Sequence, residues 1–321
     1  MSGPMPPQVL CVALNPALDH TIEVERLCPG TVNRALRMRE EVGGKGFNVA
    51  SCLADFGIPT AVTGLLGAAN AAPVEALFRA KGIQDHCLRL DGLTRVNTKL
   101  VDRATGQTTD INLPGPHLAP ASRAALLEQL LACIDRLMAS VRWVVLAGSL
   151  PPGWPEDTYA RLARQVRGAG GKVALDASGP ALTAGLRADP DLAKPNRSEL
   201  AEWCGEPLAS LAAVAGAGRR LLASGTGLAV VSLGADGALF MDRERTLLAH
   251  PPAVDLLSTV GAGDAMVAGT VAARVQGLPL DQTARLATAF SAAKLARLGP
   301  HLPAPATVRS LADTVRLTVL P

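Results

Sequence analysis

Residues 143–176 read WVVLAGSLPPGWPEDTYARLARQVRGAGGKVALD. An apolar run, Trp143–Ala147, is followed by a Gly-Ser-Leu-Pro turn, a helical pattern over Pro155–Arg167 and a second run, Lys172–Asp176. Apolar runs without polar alternation suit strands covered on both faces. Strand, helix and strand in succession build a parallel sheet with helices packed on it. The same rhythm continues outward. Val9–Leu14, Thr60–Leu66 and Leu228–Leu233 are further strand-like runs. Phe47–Phe56, Pro73–Lys81, Pro120–Met138, Arg197–Cys204 and Ser210–Ala223 carry helical patterns. The expected core is therefore α/β, with a mostly parallel sheet and helices on both faces.

Other segments break this rhythm. Thr21–Glu25 and Val32–Arg39 mix charged and apolar residues in short strand-like runs. Arg95–Asp102 and Thr108–Leu113 read as a hairpin around the polar turn Arg103–Gln107, which contains Gly106. Half-polar strands do not suit a doubly covered sheet. They are expected to form a small separate lid, drawn from about residues 20–40 and 95–113. A partly apolar lid face is a candidate homodimer surface. Beyond Leu233, Gly237–Met241 and Thr246–His250 read as a hairpin, and from Ala262 onward the chain reads as mostly helical. The expected organisation is one domain over residues 8–318. Residues 1–7 form a flexible, Pro-rich tail that lacks the basic start of a secretory signal.

Composition narrows the function. The chain has 321 residues, 48% hydrophobic and 18% charged, which is enough to bury a sizeable core. Only 3% are aromatic, too few for a platform that stacks single-stranded bases. A net charge of +3 without long basic runs gives no sign of nucleic acid or membrane as a partner. No stretch of about twenty apolar residues suggests a membrane span. Cys11, Cys28, Cys52, Cys87, Cys133 and Cys204 are scattered without a CxxC pair. They read as reduced thiols of a cytoplasmic protein.

The strongest local signal is Ser258-Thr259-Val260-Gly261-Ala262-Gly263-Asp264, which opens a helical stretch. Glycines let successive N–H groups point into one concavity, and a helix start adds positive potential. Such a turn suits phosphate or an oxyanion. The plainer reading of Asp264 is a carboxylate that steadies the first helical turn. A second glycine turn, Val42-Gly43-Gly44-Lys45-Gly46-Phe47-Asn48, also opens a helix. Lys45 there can meet an anion and Asn48 a hydroxyl; the plainer reading is a helix start with a solvent-facing lysine. No GxxxxGK[ST] and no strand followed by a complete GxGxxG is present, so neither common nucleotide fingerprint applies.

Further polar groups fall at the ends of the expected strands: Asn15–Asp19, Gly148–Pro151, Lys194–Glu199 and Ser232–Gly237. The carboxyl ends of strands in an open parallel sheet form its ligand crevice. Each motif alone has a plainer reading, most clearly Asn196 and Glu199 as a helix capping box.

Together these residues resemble the ribokinase-like carbohydrate kinases of the phosphofructokinase-B family, from Val9 to about Leu298. Gly43–Ala50 and Thr259–Gly269 carry the resemblance in combination. Asn15-Pro16-Ala17-Leu18-Asp19, Gly148-Ser149-Leu150-Pro151 and Lys194-Pro195-Asn196 with Glu199 narrow it to the phosphosugar branch. Lys45, Thr94–Leu100 and Thr109–Asn112 before Pro114-Gly115 are similar to members acting on fructose 1-phosphate. Ala265 is a small departure, since Ser is frequent there. The resemblance implies a three-layer αβα core with a β-sheet lid. It implies transfer from ATP, with Mg²⁺, to the 6-hydroxyl of fructose 1-phosphate. The alternatives are fructose 6-phosphate or tagatose 6-phosphate as acceptor, or a non-catalytic sugar-phosphate binder.

The resemblance also distributes roles. Asp264 would be the base, beside an anion hole at Gly261, Ala262 and Gly263. Asp19, Gly44 and Asn48 would hold sugar hydroxyls. Arg95 would meet the sugar's phosphate, with Lys45 and Ser149 nearby. Lys194, Asn196, Ser232, Gly234 and Gly237 would line the ATP site. Glu199 would position Mg²⁺ through water.

Overall fold

The structure, a computed structural model, describes residues 5–257 and 260–321. The first four residues of the expected tail, and Ser258 and Thr259 of the late glycine motif, lie outside the described residues.

β1 (Val9–Ala13) leads into β2 (Ala17–Val24) and β3 (Ala35–Gly43), then α1 (Lys45–Asp55), β4 (Thr60–Gly67), α2 (Ala72–Lys81) and β5 (Gln84–Leu90). A second strand pair follows, β6 (Arg95–Asp102) and β7 (Thr108–Ile111). The middle of the chain alternates: α3 (Pro120–Leu137), β8 (Trp143–Ala147), α4 (Thr158–Gly168), β9 (Lys172–Asp176), α5 (Gly179–Leu186), β10 (Leu192–Ala193), α6 (Arg197–Cys204) and α7 (Leu211–Ala223). It closes with β11 (Ala229–Ser232), β12 (Ala238–Met241), β13 (Thr246–His250), α8 (Ala262–Val275), α9 (Leu280–Leu295), α10 (Pro305–Thr314) and β14 (Arg316–Leu320).

The large sheet runs β14-β13-β12-β11-β10-β9-β8-β1-β4-β5, parallel from β11 to β5 and antiparallel from β11 to β14. Successive side chains of a strand face opposite layers, and β1 shows the consequence. Val9, Cys11 and Ala13 join one core with Phe47 of α1, Phe78 of α2, Val271 of α8, Phe290 of α9 and Val308 of α10. Leu10 and Val12 join the other with Ile134 of α3, Tyr159 of α4, Leu182 of α5, Leu200 of α6 and Leu221 of α7. The αβα layering follows from this alternation. The strand bounds expected for β8 and β9 match those observed.

Three elements differ from the sequence reading. β5 and α5 were not expected. The end of the chain is not helical to its last residues: β14 pairs antiparallel with β13, Leu317 opposite Ala249 and Val319 opposite Leu247. Helix α10 stops at Val315, whose backbone is extended, and Arg316–Leu320 form a largely exposed edge strand.

The four half-polar strands form their own sheet, ordered β3-β2-β6-β7. Cross-strand partners share a face. Met38, Ile22, Leu100 and Thr109 stand in one row, on the outer face. Arg39, Thr21, Lys99 and Asp110 stand in the next row, and all four line a cavity of about 330 Å³ between this lid and the core. Arg39, Lys99 and Asp110 are thus charged because they face the crevice.

Candidate active site

The site assembles at the carboxyl ends of the parallel strands, where α8 starts under the lid. Gly261 caps α8 with φ +80°, a left-handed value that favours glycine. The first N–H groups of a helix have no carbonyl of their own helix to meet, so Ala262 and Gly263 present donors to a ligand. Asp264 lies in that first turn, 7% exposed, and Asn48 Nδ2 of α1 donates to its Oδ2 at 2.7 Å. Burial, and then the charge of Asp176, push the Asp264 carboxyl up to about 6. The Asn48 bond, Lys45 and Lys194 oppose that shift.

The early glycine motif delivers Lys45 to the same place. Gly44 has φ +99°, and a methyl on it would lie 2.8 Å from Pro16 Cα. Lys45 Nζ donates to Asp176 Oδ1 at 3.1 Å and lies 4.0 Å from Glu199 Oε1. Lys194, 4% exposed, reaches the same Asp176 oxygen at 3.4 Å. Burial works against both kinds of charge here. The two ammoniums nevertheless hold the Asp176 carboxyl below its usual range. Burial would lower the Lys45 pKa, yet Asp176, Asp264 and Glu199 hold it above its ordinary value.

Asp19 stands on the inner lid face. Asn97 Nδ2 donates to its Oδ1 at 2.9 Å, and Lys99 Nζ lies 4.0 Å from its Oδ2. Arg95 sits where lid meets core. Its guanidinium donates to the carbonyls of Pro16 at 3.2 Å, Leu113 at 2.5 Å and Asn15 at 3.0 Å. Asn15 Nδ2 in turn donates to Ser149 Oγ at 3.1 Å and to the Pro114 carbonyl at 3.0 Å. Arg95 and Ser149 are thus brought together through Asn15, whose Oδ1 is buried without a partner.

Asn196 and Glu199 form the capping box of α6, with Asn196 Oδ1 accepting from Glu199 N and Glu199 Oε2 accepting from Asn196 N, both at 2.8 Å. This leaves Glu199 Oε1 pointing toward Lys45. Asn196 bridges to Ser232 in parallel. Gly234 has φ +66°. Gly237 has a structural demand of its own: φ is +97° and a methyl would fall 2.0 Å from the Ala249 carbonyl oxygen. Asp176 and Arg39 stand in the site without having been singled out from sequence, and Asn15, Asn97 and Lys99 lie in motifs that carried the resemblance but had no role assigned. For Arg39 the one signal was the mixing of charge into the lid strand.

Among the described residues no cluster of three His, Cys, Asp or Glu could hold a metal by itself. A Mg²⁺ that arrives on nucleotide phosphates keeps several waters and needs few protein oxygens. Glu199 Oε1, outside the capping box, fits that duty.

Comparison with known proteins identifies the family. The pfkB family of carbohydrate kinases matches residues 12–307. A 1-phosphofructokinase of Rhodobacter capsulatus is 48% identical over 98% of each chain. One of Xanthomonas campestris is 47% identical over 98% of this chain and 99% of its own. The crystal structure of phosphofructokinase-2 from Escherichia coli in complex with fructose-6-phosphate is similar, with TM-score 0.85 and 27% identity. That match covers 96% of this chain and 99% of the other.

Proposed function

The chain belongs to the pfkB family of carbohydrate kinases, and from that premise we propose that it transfers the γ-phosphoryl group of ATP to the 6-hydroxyl of fructose 1-phosphate. The observation that carries this reading is the buried Asp264 held by Asn48 at the Gly261 turn. A carboxyl pushed up to about 6 is charged at neutral pH yet basic enough to receive a proton.

Phosphoryl transfer needs positioning and charge stabilisation more than covalent chemistry. The sugar's O6 attacks the γ-phosphorus, the bond from that phosphorus to the ADP oxygen breaks, and the O6 proton passes to Asp264. Donors at the start of α8 meet charge on the transferring oxygens without having to reorganise. Asp19 and Asn48 hold sugar hydroxyls. Arg95 and Ser149, joined through Asn15, are assigned to the sugar's phosphate, and Lys45 neutralises charge between the two ligands. Lys194, Asn196, Ser232 and Gly234 line the nucleotide side. Mg²⁺ supplies charge neutralisation to the phosphates when bound, and Glu199 meets its waters. Closure of the lid excludes water that would otherwise hydrolyse ATP.

The outer lid face, with Leu36, Met38 and Ile111 about half exposed, is assigned to a homodimer. No helix among the described residues is long and apolar enough to cross a membrane. Free thiols at all six cysteines support a place in the cytoplasm.

Release of ADP with fructose 1-phosphate, fructose 6-phosphate and tagatose 6-phosphate tests the reading. Fructose 1-phosphate is expected to give the highest kcat/KM. Preference for either other sugar would reassign the acceptor, and no release with any would leave a sugar-phosphate binder.

A further inference from the structure

Lys294 has no role in the chemistry above. It lies next to the last residue of α9 and is 4% exposed. Its ammonium donates to the Arg297 carbonyl at 3.3 Å, which uses one of three protons. The side chain passes beside the anion-binding turn. A methyl on Gly261 would lie 3.2 Å from Lys294 Cε and 3.9 Å from both Lys294 Nζ and Asn48 Nδ2. Lys294 also lines the lid cavity, along with Asp19, Asn48 and Gly261. On the other flank of the turn, Lys194 Nζ would lie 3.4 Å from a methyl on Gly263. Two buried ammoniums therefore bracket the start of α8, one toward the nucleotide side and one toward the lid.

This arrangement is electrostatically uphill on its own. Burial lowers the Lys294 pKa, and Cys52, Glu41 and Asp264 oppose that only in part. The positive end of α8 adds to the cost, and the negative end of α9, in whose last turn Lys294 sits, offsets part of it. A buried apolar side chain would carry no such cost. A cation held there becomes favourable once anions arrive beside it.

We propose that Lys294 is a positioning residue for phosphoryl transfer: its side chain packs against the Gly261 turn and supplies positive charge on the acceptor side of Asp264. This rests on the kinase reading above. Around Asp264 the facing groups are Lys45, Asn48 and Cys52 of α1, Asp176 of β9, Lys194 beyond β10 and Lys294 of α9. Around Lys294 they are Glu41 of β3, Cys52, Asp264, and His301 and Arg297 beyond α9. Removal of one cation from this set raises the Asp264 pKa, so the acid limb of the rate profile moves to higher pH.

The test compares Lys294→Met, which keeps the length of the stem, with Lys294→Arg in the full chain. It reads kcat, both KM values, the pH profile of kcat/KM and thermal melting. Lys294→Met is expected to lower kcat by about tenfold or more. KM for the sugar phosphate should change less, and the acid limb should rise by about half a unit. Lys294→Arg should recover part of both. A Met variant with wild-type kcat and an unmoved acid limb overturns the proposal. So does a rate loss that follows a lower melting temperature while the limb stays in place. A wild-type chain inactive on every ketose phosphate overturns the kinase reading, and this inference with it.

Discussion

Lys45 Nζ meets Asp176 Oδ1 at 3.1 Å across 131 residues of sequence. The contact joins the glycine motif at the start of α1 to the end of β9, and Lys194 completes it from the next strand at 3.4 Å. One fully buried carboxylate oxygen therefore sets the positions of two cations beside Asp264.

Asp176→Asn leaves both lysines without their counter-charge. Loss of one member of a buried ionic cluster typically costs about 3–5 kcal/mol. Because the Asp176 pKa is depressed in the fold, its contribution is present above the ordinary carboxylate range and is lost as pH falls. Denaturant melts should show the largest gap between variant and wild type near neutrality, narrowing in acid. A gap independent of pH would refute the role given to this carboxylate.

Asp264→Asn should abolish turnover, by about 10²-fold or more, while ATP still binds in calorimetry. The same change should stabilise the protein. A carboxyl raised from 3.8 to about 6 opposes folding by an order of 3 kcal/mol at pH 7, and the penalty fades as pH falls from about 6 and is gone below the ordinary carboxylate pKa of 3.8. The variant is therefore expected to melt above wild type at pH 7 and level with it in acid. Substantial turnover in the variant would remove Asp264 as the base.

Glu199→Gln separates the two duties of that residue. Glutamine keeps the capping box of α6, so melting should be unchanged. The Mg²⁺ concentration needed for half-maximal rate should rise by about tenfold or more. Glu199→Ala should add a stability loss of about 1 kcal/mol. Wild-type Mg²⁺ dependence in the Gln variant would confine Glu199 to capping.

Arg95→Ala should raise KM for fructose 1-phosphate by tenfold or more, since charge-assisted bonds are worth about 1.5–3 kcal/mol each. Arg95→Lys should not restore it, because an ammonium cannot span three carbonyls in one plane. Lys99→Met is the control on the inner lid face. A larger KM increase from Lys99→Met than from Arg95→Ala would move the sugar's phosphate from the lid–core junction to the Arg39–Lys99 row.

The core was legible because burial on both faces leaves strands such as Trp143–Ala147 with no polar residue at all. The site was legible where backbone geometry restricts residue choice, as at Gly44 and Gly261. Asn196 and Glu199 showed a capping pattern and a ligand pattern at once, and the structure uses the first while leaving one oxygen for the second. Asp176 gave no signal, because an Asp at the end of an apolar run looks like the start of a turn; its lysines come from α1 and from beyond β10. Lys294 reads as an ordinary helical lysine until Gly261 is folded over it. β14 escaped because its pairing partner lies about 70 residues upstream in β13, and an edge strand of five residues has no partner in local sequence.

The lid is threaded through the core at several points. β2 begins four residues after β1 ends, β3 runs into α1 across Gly44, and β6 starts five residues after β5. At these crossings stand Pro16, Gly44, Lys45 and Arg95, all in or beside the site. The lid is consequently not a cassette. It cannot be excised, or exchanged with that of another kinase, without recutting the candidate site itself. A change of sugar preference in this scaffold is therefore best sought by single substitutions on the inner row Arg39, Thr21, Lys99 and Asp110 rather than by transplanting the sheet.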